Sequence, residues 1–337
     1  MKSERNFNLA PHNSFGLAVE ASRIFFPECY TEVRELVKEY PNAFILGGGS
    51  NVLFATDRLE RPVIAPQITG IEKQYEDDEQ IVVSSGAGVQ WQSLVDYTLD
   101  RNWGGLENLS LIPGSVGAAP IQNIGAYGVE FREVFYALEA IRIKDGALHT
   151  FNKEMCQFDY RYSVFKGALK GEYVITRVYI RLRKDHELNT AYGGIQMTLN
   201  QLGLERPNFR QMAEAINHLR RSKLPYPDQL ANAGSFFKNP IVDKSWLEDK
   251  KCAYSYVPHY EIDDTKVKIP AAWLLEQSGF KGYRSGDAGF YEKHALILVN
   301  HGQATGKELW KLAQRAQTEV QDKFDLLLEP EVNVIEG

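Results

Sequence analysis

The sequence predicts an α+β or α/β fold built from more than one domain. Helical and strand patterns alternate along the chain, and no self-similarity of fixed period is present. The 337 residues exceed what one hydrophobic core usually organises, which favours two or three domains. The content of 44% apolar and 24% charged residues is typical of a folded globular protein rather than a disordered or fibrous one.

Four segments have the spacing of an amphipathic helix, in which one apolar stripe faces a core. Two of them, predicted as surface helices, lie at residues 33–40 and 91–99. The third begins at Asn208, a good N-cap with Gln211 three residues on, and the fourth follows Gly306. The residues predicted to be buried on the third and fourth helices are Phe209, Met212, Ala213, Ile216, Leu219, Leu309, Leu312, Ala313, Ala316 and Val320.

Short apolar runs predict strands at residues 43–46, 63–65, 81–84, 173–182 and 295–299. The run at 173–182 has the clearest alternation, which places successive side chains on opposite faces of a sheet. Its first face carries Val174, Thr176, Val178, Ile180 and Leu182, and its second face carries Arg177 and Arg181. We therefore predict a sheet with one face more exposed to solvent than the other.

Two stretches, residues 184–194 and 224–234, are rich in polar and turn-forming residues and are predicted as loops, the first of them mobile. A domain boundary is predicted near residue 206, because Pro207 and Asn208 open a new helical region after a polar link.

The net charge of −6 excludes a global positive field, so we do not expect nucleic acid as a partner. An anionic ligand would have to be met by a local cluster of cations or by backbone N–H groups. The spacing of Cys29, Cys156 and Cys252 favours neither a disulfide framework nor a metal site. We find neither a signal peptide nor a membrane-spanning run, and we expect a cytoplasmic protein without a membrane partner.

The segment FILGGGSNVLF at residues 44–54 places three glycines after an apolar run. Glycines let backbone N–H groups turn toward a diphosphate without a Cβ in the way, although a tight turn between strands explains the same pattern. The segment lacks the third glycine of a dinucleotide fingerprint. Residues 302–308 likewise miss a P-loop by one spacer residue and by Glu308.

Residues 104–130 are rich in Gly, Ala, Ser, Asn and Pro and contain almost no charge. A solvated linker would be more polar, so we predict closely packed loops. Small residues let such backbone lie flat against a broad planar ligand such as an isoalloxazine ring, or equally against a sheet. The composition leaves both interpretations open.

Several ordered motifs together resemble the UDP-N-acetylenolpyruvoylglucosamine reductase (MurB) family over almost the whole chain. The motifs are GGGSN at 47–51, GLENLSLIPGSVGAAPIQNIGAYG at 105–128, RYS at 161–163, NAGSFFKNP at 232–240 and EPEV at 329–332. Tyr192 in the AYGG loop is similar to the type I branch.

The resemblance implies an α+β fold with a two-subdomain FAD-binding domain of the vanillyl-alcohol-oxidase kind and a separate α+β substrate-binding domain. The implied division is 1–66 for the first FAD-binding subdomain, 67–206 with a C-terminal strand at 323–337 for the second, and 207–322 for the substrate-binding domain.

The resemblance also implies a reaction in peptidoglycan precursor synthesis. NADPH reduces non-covalently bound FAD, and flavin N5 then delivers hydride to the vinyl carbon of UDP-N-acetylglucosamine enolpyruvate. A proton reaches the α-carbon to give UDP-N-acetylmuramate. The implied partners are the UDP-sugar and NADPH, with no obligate protein partner.

Each implied role falls on residues that match the family's motifs. The residues implied to bind the cofactor are Gly47, Gly48, Gly49, Ser50, Asn51, Gly114, Ser115, Gly117, Ile121, Asn123 and Gly125. The residues implied to bind substrate are Tyr192, Arg220, Lys223 and Asn239. Among the catalytic residues, Ser235 donates the proton, Arg161 pairs with the substrate carboxylate, and Glu331 matches the family's glutamate.

Taken without the resemblance, these residue types have ordinary structural interpretations. Arg161 would be an exposed strand arginine, Ser235 a local hydrogen-bonding residue in a glycine turn, and Glu331 a solvent-facing terminal residue. Arg220 and Lys223, with Arg221, would be cations at a helix C-terminus, where the helix dipole favours them.

Two other functions compete with the reductase. An FAD-dependent oxidase of the same wider fold would act on an alcohol or sugar and pass electrons to oxygen. A non-catalytic nucleotide-sugar binder would have kept the fold and lost flavin. Flavin absorbance and the reactivity of the reduced protein with oxygen discriminate among the three.

Overall fold

The structure is a computed structural model that describes residues 1–336. The chain divides into two compact units, each built from separate stretches of sequence. The first unit contains Met1–Asn8, Glu20–Gly49 and Leu59–Ser222, and the second contains Leu9–Val19, Ser50–Arg58 and the chain from Lys223 onward.

Helices and strands alternate along the described residues, as predicted. The helices are α1 (Tyr30–Glu39), α2 (Trp91–Leu99), α3 (Lys153–Cys156), α4 (Ile195–Gln201), α5 (Phe209–Lys223), α6 (Lys244–Lys251), α7 (Ala271–Gln277) and α8 (Gly306–Phe324). The strands are β1 (Lys2–Asn8), β2 (Glu20–Phe26), β3 (Phe44–Ile45), β4 (Val52–Phe54), β5 (Arg58–Leu59), β6 (Val63–Ile64), β7 (Ile71–Glu76), β8 (Gln80–Gly86), β9 (Gly125–Ala126), β10 (Val129–Glu130), β11 (Phe135–Arg142), β12 (Leu148–Phe151), β13 (Tyr173–Arg183), β14 (Ala231–Ser235), β15 (Ile241–Asp243), β16 (Tyr260–Glu261), β17 (Lys266–Lys268), β18 (Arg284–Ser285), β19 (Ala288–Phe290), β20 (Ile297–Asn300) and β21 (Asn333–Ile335).

The larger sheet of the first unit is antiparallel, with strand order β12-β11-β13-β8-β7. The predicted alternation in β13 is confirmed, because its five predicted apolar-face residues are buried while Arg181 is exposed. Apolar residues of α2, including Trp91 and Leu94, pack in the same core as Val178 of β13. This packing places the loop that follows α2 beside the sheet.

A second five-stranded sheet has the path β1-β2-β6-β3, with β5 paired to β2, and its strands β2, β6 and β3 run parallel. Helix α1 buries Val33, Leu36 and Val37 in a core shared with Ile64 of β6. The predicted helix at 33–40 and the strands at 43–46 and 63–65 are therefore confirmed, and β3 leads directly into the three glycines.

Helix α5 begins as its sequence predicts. Asn208 accepts a hydrogen bond from the Gln211 amide, and the Gln211 side chain accepts one from the Asn208 amide, each at 2.9 Å. The short helix α4, which shows no clear helical pattern in the sequence, packs its Ile195 and Leu199 against α5. Because of this packing α5 is grouped with the first unit as far as Ser222, whereas the boundary expected near 206 separates them. The three-domain division remains a prediction.

The second unit contains the antiparallel sheet β14-β20-β19-β18 and a smaller sheet β15-β17-β16. Strand β21 pairs in parallel with β4. Helix α8 starts with a capping box between Thr305 and Glu308, and its five predicted core residues are buried.

The loop predicted at 224–234 is wrong in its last part, because residues 231–235 form β14. Gly234 has a left-handed φ of +71°, and the register with β20 shifts between Asn232 and Ser235. A bulge of this kind interrupts the alternation by which a strand is recognised from sequence.

Among residues 1–336, every helix is either too short or too polar to cross a lipid bilayer.

Candidate active site

The three glycines after β3 lie against the small-residue segment at 104–130. A Cβ added to Gly48 would lie 2.8 Å from Gly114 Cα and 2.9 Å from the Ser115 nitrogen, and a Cβ on Gly47 would lie 3.2 Å from Ser115 Oγ. Gly49 has a left-handed φ of +64°, so the chain turns there as few other residues allow. The two segments therefore approach each other backbone to backbone.

This arrangement fits a diphosphate-containing cofactor. Gly47 and Gly48 are exposed, and no Cβ stands between their backbone and a ligand. Exposed backbone amides in a glycine turn form concavities that bind anions. The first seven residues of the loop at 104–130 are all buried, which confirms the predicted close packing there. The residues present thus fit the cofactor that the sequence predicted.

We expect Gly48→Ala to reduce flavin binding about tenfold, which corresponds to about 1.4 kcal/mol of binding free energy. The added methyl would meet backbone at Gly114, which cannot rotate away as a side chain can. The measurement is the ratio of flavin to protein absorbance after purification, with titration of the apoprotein by FAD. Gly193→Ala is the matched control, since a Cβ there meets nothing within 4 Å. Equal flavin affinity in the two variants would contradict the assignment of the glycine loop.

Asn123 holds the loop at 104–130 in place through buried hydrogen bonds. It is completely buried, and its Nδ2 donates to Glu130 Oε2 and to the Asp159 carbonyl, each at 3.0 Å. Its Oδ1 accepts from the Arg132 amide at 2.9 Å. With φ at +46° it also holds a backbone conformation that is uncommon outside glycine. Asn123 therefore joins the loop to the segment that carries Arg161.

Arg161 lies against the same loop. Its Nη2 donates to the Gly125 carbonyl at 2.7 Å, and a Cβ on Gly125 would lie 2.9 Å from its Nη1. Ser163 Oγ donates to the Ile121 carbonyl at 2.6 Å. Arg161 is half-buried in a turn with φ at +52°, so its interpretation as an exposed strand arginine is wrong. Left-handed non-glycine residues are strained and occur often at functional sites.

Tyr192 and Arg220 each contact Tyr127, a residue to which the sequence analysis assigned no role. The rings of Tyr127 and Tyr192 pack edge to face with centroids 5.3 Å apart. The Arg220 guanidinium lies 5.9 Å from the Tyr127 ring centroid. Burial raises the pKa of Tyr127 to about 12, so it remains protonated at neutral pH. Its position in the GAYG motif was the signal that could have identified it.

In the second unit, strand-like pairing places Glu331 across from Phe236, the residue that follows Ser235. The Glu331 amide donates to the Phe236 carbonyl at 2.8 Å, and Phe237 forms a bridge with Pro330. The solvent-facing interpretation of Glu331 is wrong, because the residue is only 9% exposed. Asn51 Nδ2 donates to the Glu331 carbonyl at 3.3 Å. Residues from three distant parts of the chain therefore meet here.

Asn232 orients the turn that presents Ser235, and the sequence did not identify this role. Its Nδ2 donates to the carbonyls of Leu230 and Pro225 at 2.7 and 3.1 Å, and its Oδ1 accepts from the Gly234 amide at 2.9 Å. Asn232 is buried, so these bonds are shielded from water. They connect the segment after Lys223 to the turn before Ser235.

Lys223 and Asn239 occupy different surroundings in the second unit. Lys223 is exposed at the end of α5. Asn239 Oδ1 accepts from the Ala271 amide at 2.9 Å, at the start of α7, which fixes the orientation of the Asn239 side chain.

The predicted site residues are divided between the two compact units. The first unit holds Gly47, Gly48, Gly49, Gly114, Ser115, Gly117, Ile121, Asn123, Gly125, Arg161, Tyr192 and Arg220, and the second holds Ser50, Asn51, Lys223, Ser235, Asn239 and Glu331. The convergence of Arg161 with Ser235 and Glu331 remains a prediction.

Comparisons with known proteins match two domain families to the chain. A model of an FAD binding domain matches residues 21–152, and a model of the C-terminal domain of UDP-N-acetylenolpyruvoylglucosamine reductase matches residues 225–335. The UDP-N-acetylenolpyruvoylglucosamine reductase of Amoebophilus asiaticus is 45% identical over 340 residues, covering 100% of both chains. That of Flavobacterium johnsoniae is 43% identical and covers 99% of this chain and 100% of its own. The crystal structure of the reductase (MurB) from Thermus caldophilus has a TM-score of 0.68 at 26% identity, covering 99% of each chain.

The fold and the matched domains define the class as an FAD-binding oxidoreductase with an α+β architecture, which confirms the predicted α+β class and the predicted FAD. The chain belongs to the UDP-N-acetylenolpyruvoylglucosamine reductase family, which confirms the resemblance seen in its motifs.

Proposed function

We propose that this chain reduces UDP-N-acetylglucosamine enolpyruvate to UDP-N-acetylmuramate with NADPH, a step of peptidoglycan precursor synthesis. The observation that carries the proposal is the pairing of residues 236–238 with 329–331, which joins the segment that follows Ser235 to the segment that contains Glu331, in a chain whose relatives are named for this reductase. Bound FAD would supply hydride transfer between NADPH and the vinyl carbon of the substrate.

Arg161 binds the substrate carboxylate in this proposal. Negative charge grows on that carboxylate as hydride reaches the neighbouring vinyl carbon, and a guanidinium fork matches a carboxylate with two parallel hydrogen bonds. The bond from Arg161 to the Gly125 carbonyl holds the guanidinium in place before the substrate arrives. Arg161 thus stabilises the developing charge with little rearrangement.

Ser235 delivers the proton to the α-carbon. A hydroxyl is a weak acid, and it can protonate only a strongly basic centre such as an enolate. The bulge at Gly234 and the hydrogen bonds of Asn232 orient the turn that carries this hydroxyl. The amine of Lys238 is paired with Glu329 Oε1 at 2.6 Å, which favours Lys223 as the cation that assists Ser235.

Glu331 carries a proton in the working complex, because an ionised carboxylate beside an enolate would repel it. We therefore expect Glu331→Gln, which keeps the shape and hydrogen-bonding capacity of a neutral carboxyl, to retain single-turnover substrate reduction within about tenfold of wild type. The matched control is Glu329→Gln, because Glu329 lies two residues before Glu331 and its side chain is exposed. A collapse as deep as that of Ser235→Ala would reject the protonated state.

The diphosphate and sugar of the substrate are bound by Tyr192, Arg220, Lys223 and Asn239. Tyr192 is 40% exposed and lies in a glycine-flanked loop, so it can cover a bound ligand. Arg220 supplies a local positive charge in a protein of net charge −6.

The reactivity of reduced enzyme tests this function against the oxidase alternative. Enzyme reduced anaerobically with NADPH is mixed in a stopped-flow instrument either with air-saturated buffer or with the UDP-enolpyruvyl sugar. The reductase predicts slow reoxidation by oxygen and rapid reoxidation by the sugar. Rapid reoxidation by oxygen with no effect of the sugar would establish an oxidase instead.

A further inference from the structure

The loop at residues 184–194, which connects β13 to α4 and carries Tyr192, is attached at two points to one short buried segment. His186 Nε2 lies 3.2 Å from Glu107 Oε1. Asn108 Nδ2 donates to the Asn189 carbonyl at 2.9 Å. The loop is therefore attached to two adjacent residues, Glu107 and Asn108.

Glu107 is a buried acid. The residue is 1% exposed, and its Oε2 accepts from the Gly105 amide at 2.7 Å. A buried carboxylate is costly unless it is hydrogen-bonded and paired with a positive charge. His186, whose side chain is 29% exposed, supplies that charge when protonated. The loop is thus held by a group whose charge depends on its protonation.

The same attachment orients the tyrosine pair. Asn108 Nδ2 also donates to the Tyr127 carbonyl at 2.9 Å, and Asn189 Nδ2 donates to the Gly128 carbonyl at 3.1 Å. Tyr127 in turn packs against Tyr192 with ring centroids 5.3 Å apart. Release of the loop would therefore separate Tyr192 from the surface on which it rests.

We propose that Glu107, Asn108, His186 and Asn189 form a loop clasp that positions Tyr192 for the substrate and that opens when His186 loses its proton. The loop clasp rests on the proposed function only for its effect on substrate binding. His186 acts through Tyr192 and is a positioning residue, with no contact to the reacting atoms.

The charges around His186 set the direction of the pH effect. Its pKa is raised above the ordinary 6.5, chiefly by the hydrogen bond to Glu107 and further by the charges of Glu107 and Glu133, while burial and the charge of Arg183 oppose this. The ion pair is therefore complete below 6.5 and is lost as the pH rises through the raised pKa. We infer that the loop loosens toward alkaline pH.

Hydrogen exchange of the substrate-free, flavin-loaded protein tests the loop clasp without any turnover. Exchange of residues 184–194 is measured at about pH 6 and about pH 9 and is normalised to intrinsic rates. We expect wild-type protection to fall roughly threefold or more on raising the pH, and His186→Gln to show the low protection at both values. His218→Gln, an exposed histidine of α5, should behave as wild type.

Kinetics test the effect on substrate binding. In wild type the KM for the UDP-enolpyruvyl sugar should rise with pH, and in His186→Gln it should be high and flat, while the rate of flavin reduction by NADPH is unchanged in both. Asn189→Ala removes the second attachment and should weaken protection while keeping the pH dependence, which provides a second variant if His186→Gln fails to fold.

Protection that still depends on pH in His186→Gln, or that is flat with pH in wild type, would overturn the loop clasp. Loss of protection without a change in KM would overturn the positioning of Tyr192. Failure to reduce the UDP-sugar at all would count against the proposed function, while the exchange experiment would still decide on the clasp.

Discussion

Ser235→Ala slows single-turnover reduction of the UDP-enolpyruvyl sugar by about 10²–10⁴-fold, the usual contribution of a positioned proton donor. Flavin reduction by NADPH proceeds at the wild-type rate, because no proton transfer from Ser235 is needed in that half-reaction. The measurement is stopped-flow absorbance of each half-reaction separately. A selective loss of this size identifies a residue that acts on the substrate rather than on the fold.

The control for this variant is Ser285→Ala, an exposed serine of β18 in the same unit. It should leave both half-reactions and the flavin content unchanged. If Ser235→Ala reduced the sugar at a rate close to wild type, or lost both half-reactions equally, Ser235 would not be the proton donor.

Arg161→Lys is expected to lower kcat/KM for the UDP-enolpyruvyl sugar by about 10²–10³-fold. Lysine keeps the charge but cannot form the two-point bond to a carboxylate while also donating to the Gly125 carbonyl. The KM should rise and the substrate half-reaction should slow, while the rate of flavin reduction by NADPH should change little. The measurement is steady-state kinetics combined with single turnover.

The matched control is Arg181→Lys, because Arg181 is an exposed residue of β13. It should leave kcat/KM and both half-reactions unchanged. A parallel fall in flavin content and thermal stability of Arg161→Lys would show that the guanidinium serves the loop at Gly125 rather than the substrate.

Periodic elements were predictable because their pattern is local. Helices α1, α2, α5 and α8 each bury one regular face, and β13 alternates from Thr176 to its end. The short helix α4 and the bulged strand β14 were missed, since seven residues or an interrupted alternation give too little signal.

The site was predictable only through motifs, because its polar partners are far apart in sequence. Asn108 and Asn189 are 81 residues apart, and Asn51 and Glu331 are 280 apart. No periodicity links such pairs. Asn232 and Tyr127 lie within or beside quoted motifs, yet the motif letters alone did not show that one orients the Ser235 turn and the other supports Tyr192. These roles depend on tertiary packing.

The most direct test of the account is the oxidation of NADPH by the purified yellow protein with and without UDP-N-acetylglucosamine enolpyruvate under anaerobic conditions. We expect rapid oxidation that requires the sugar and forms one lactyl ether for each NADPH consumed. Oxidation that proceeds without the sugar, or a sugar that is recovered with its double bond intact, would contradict it.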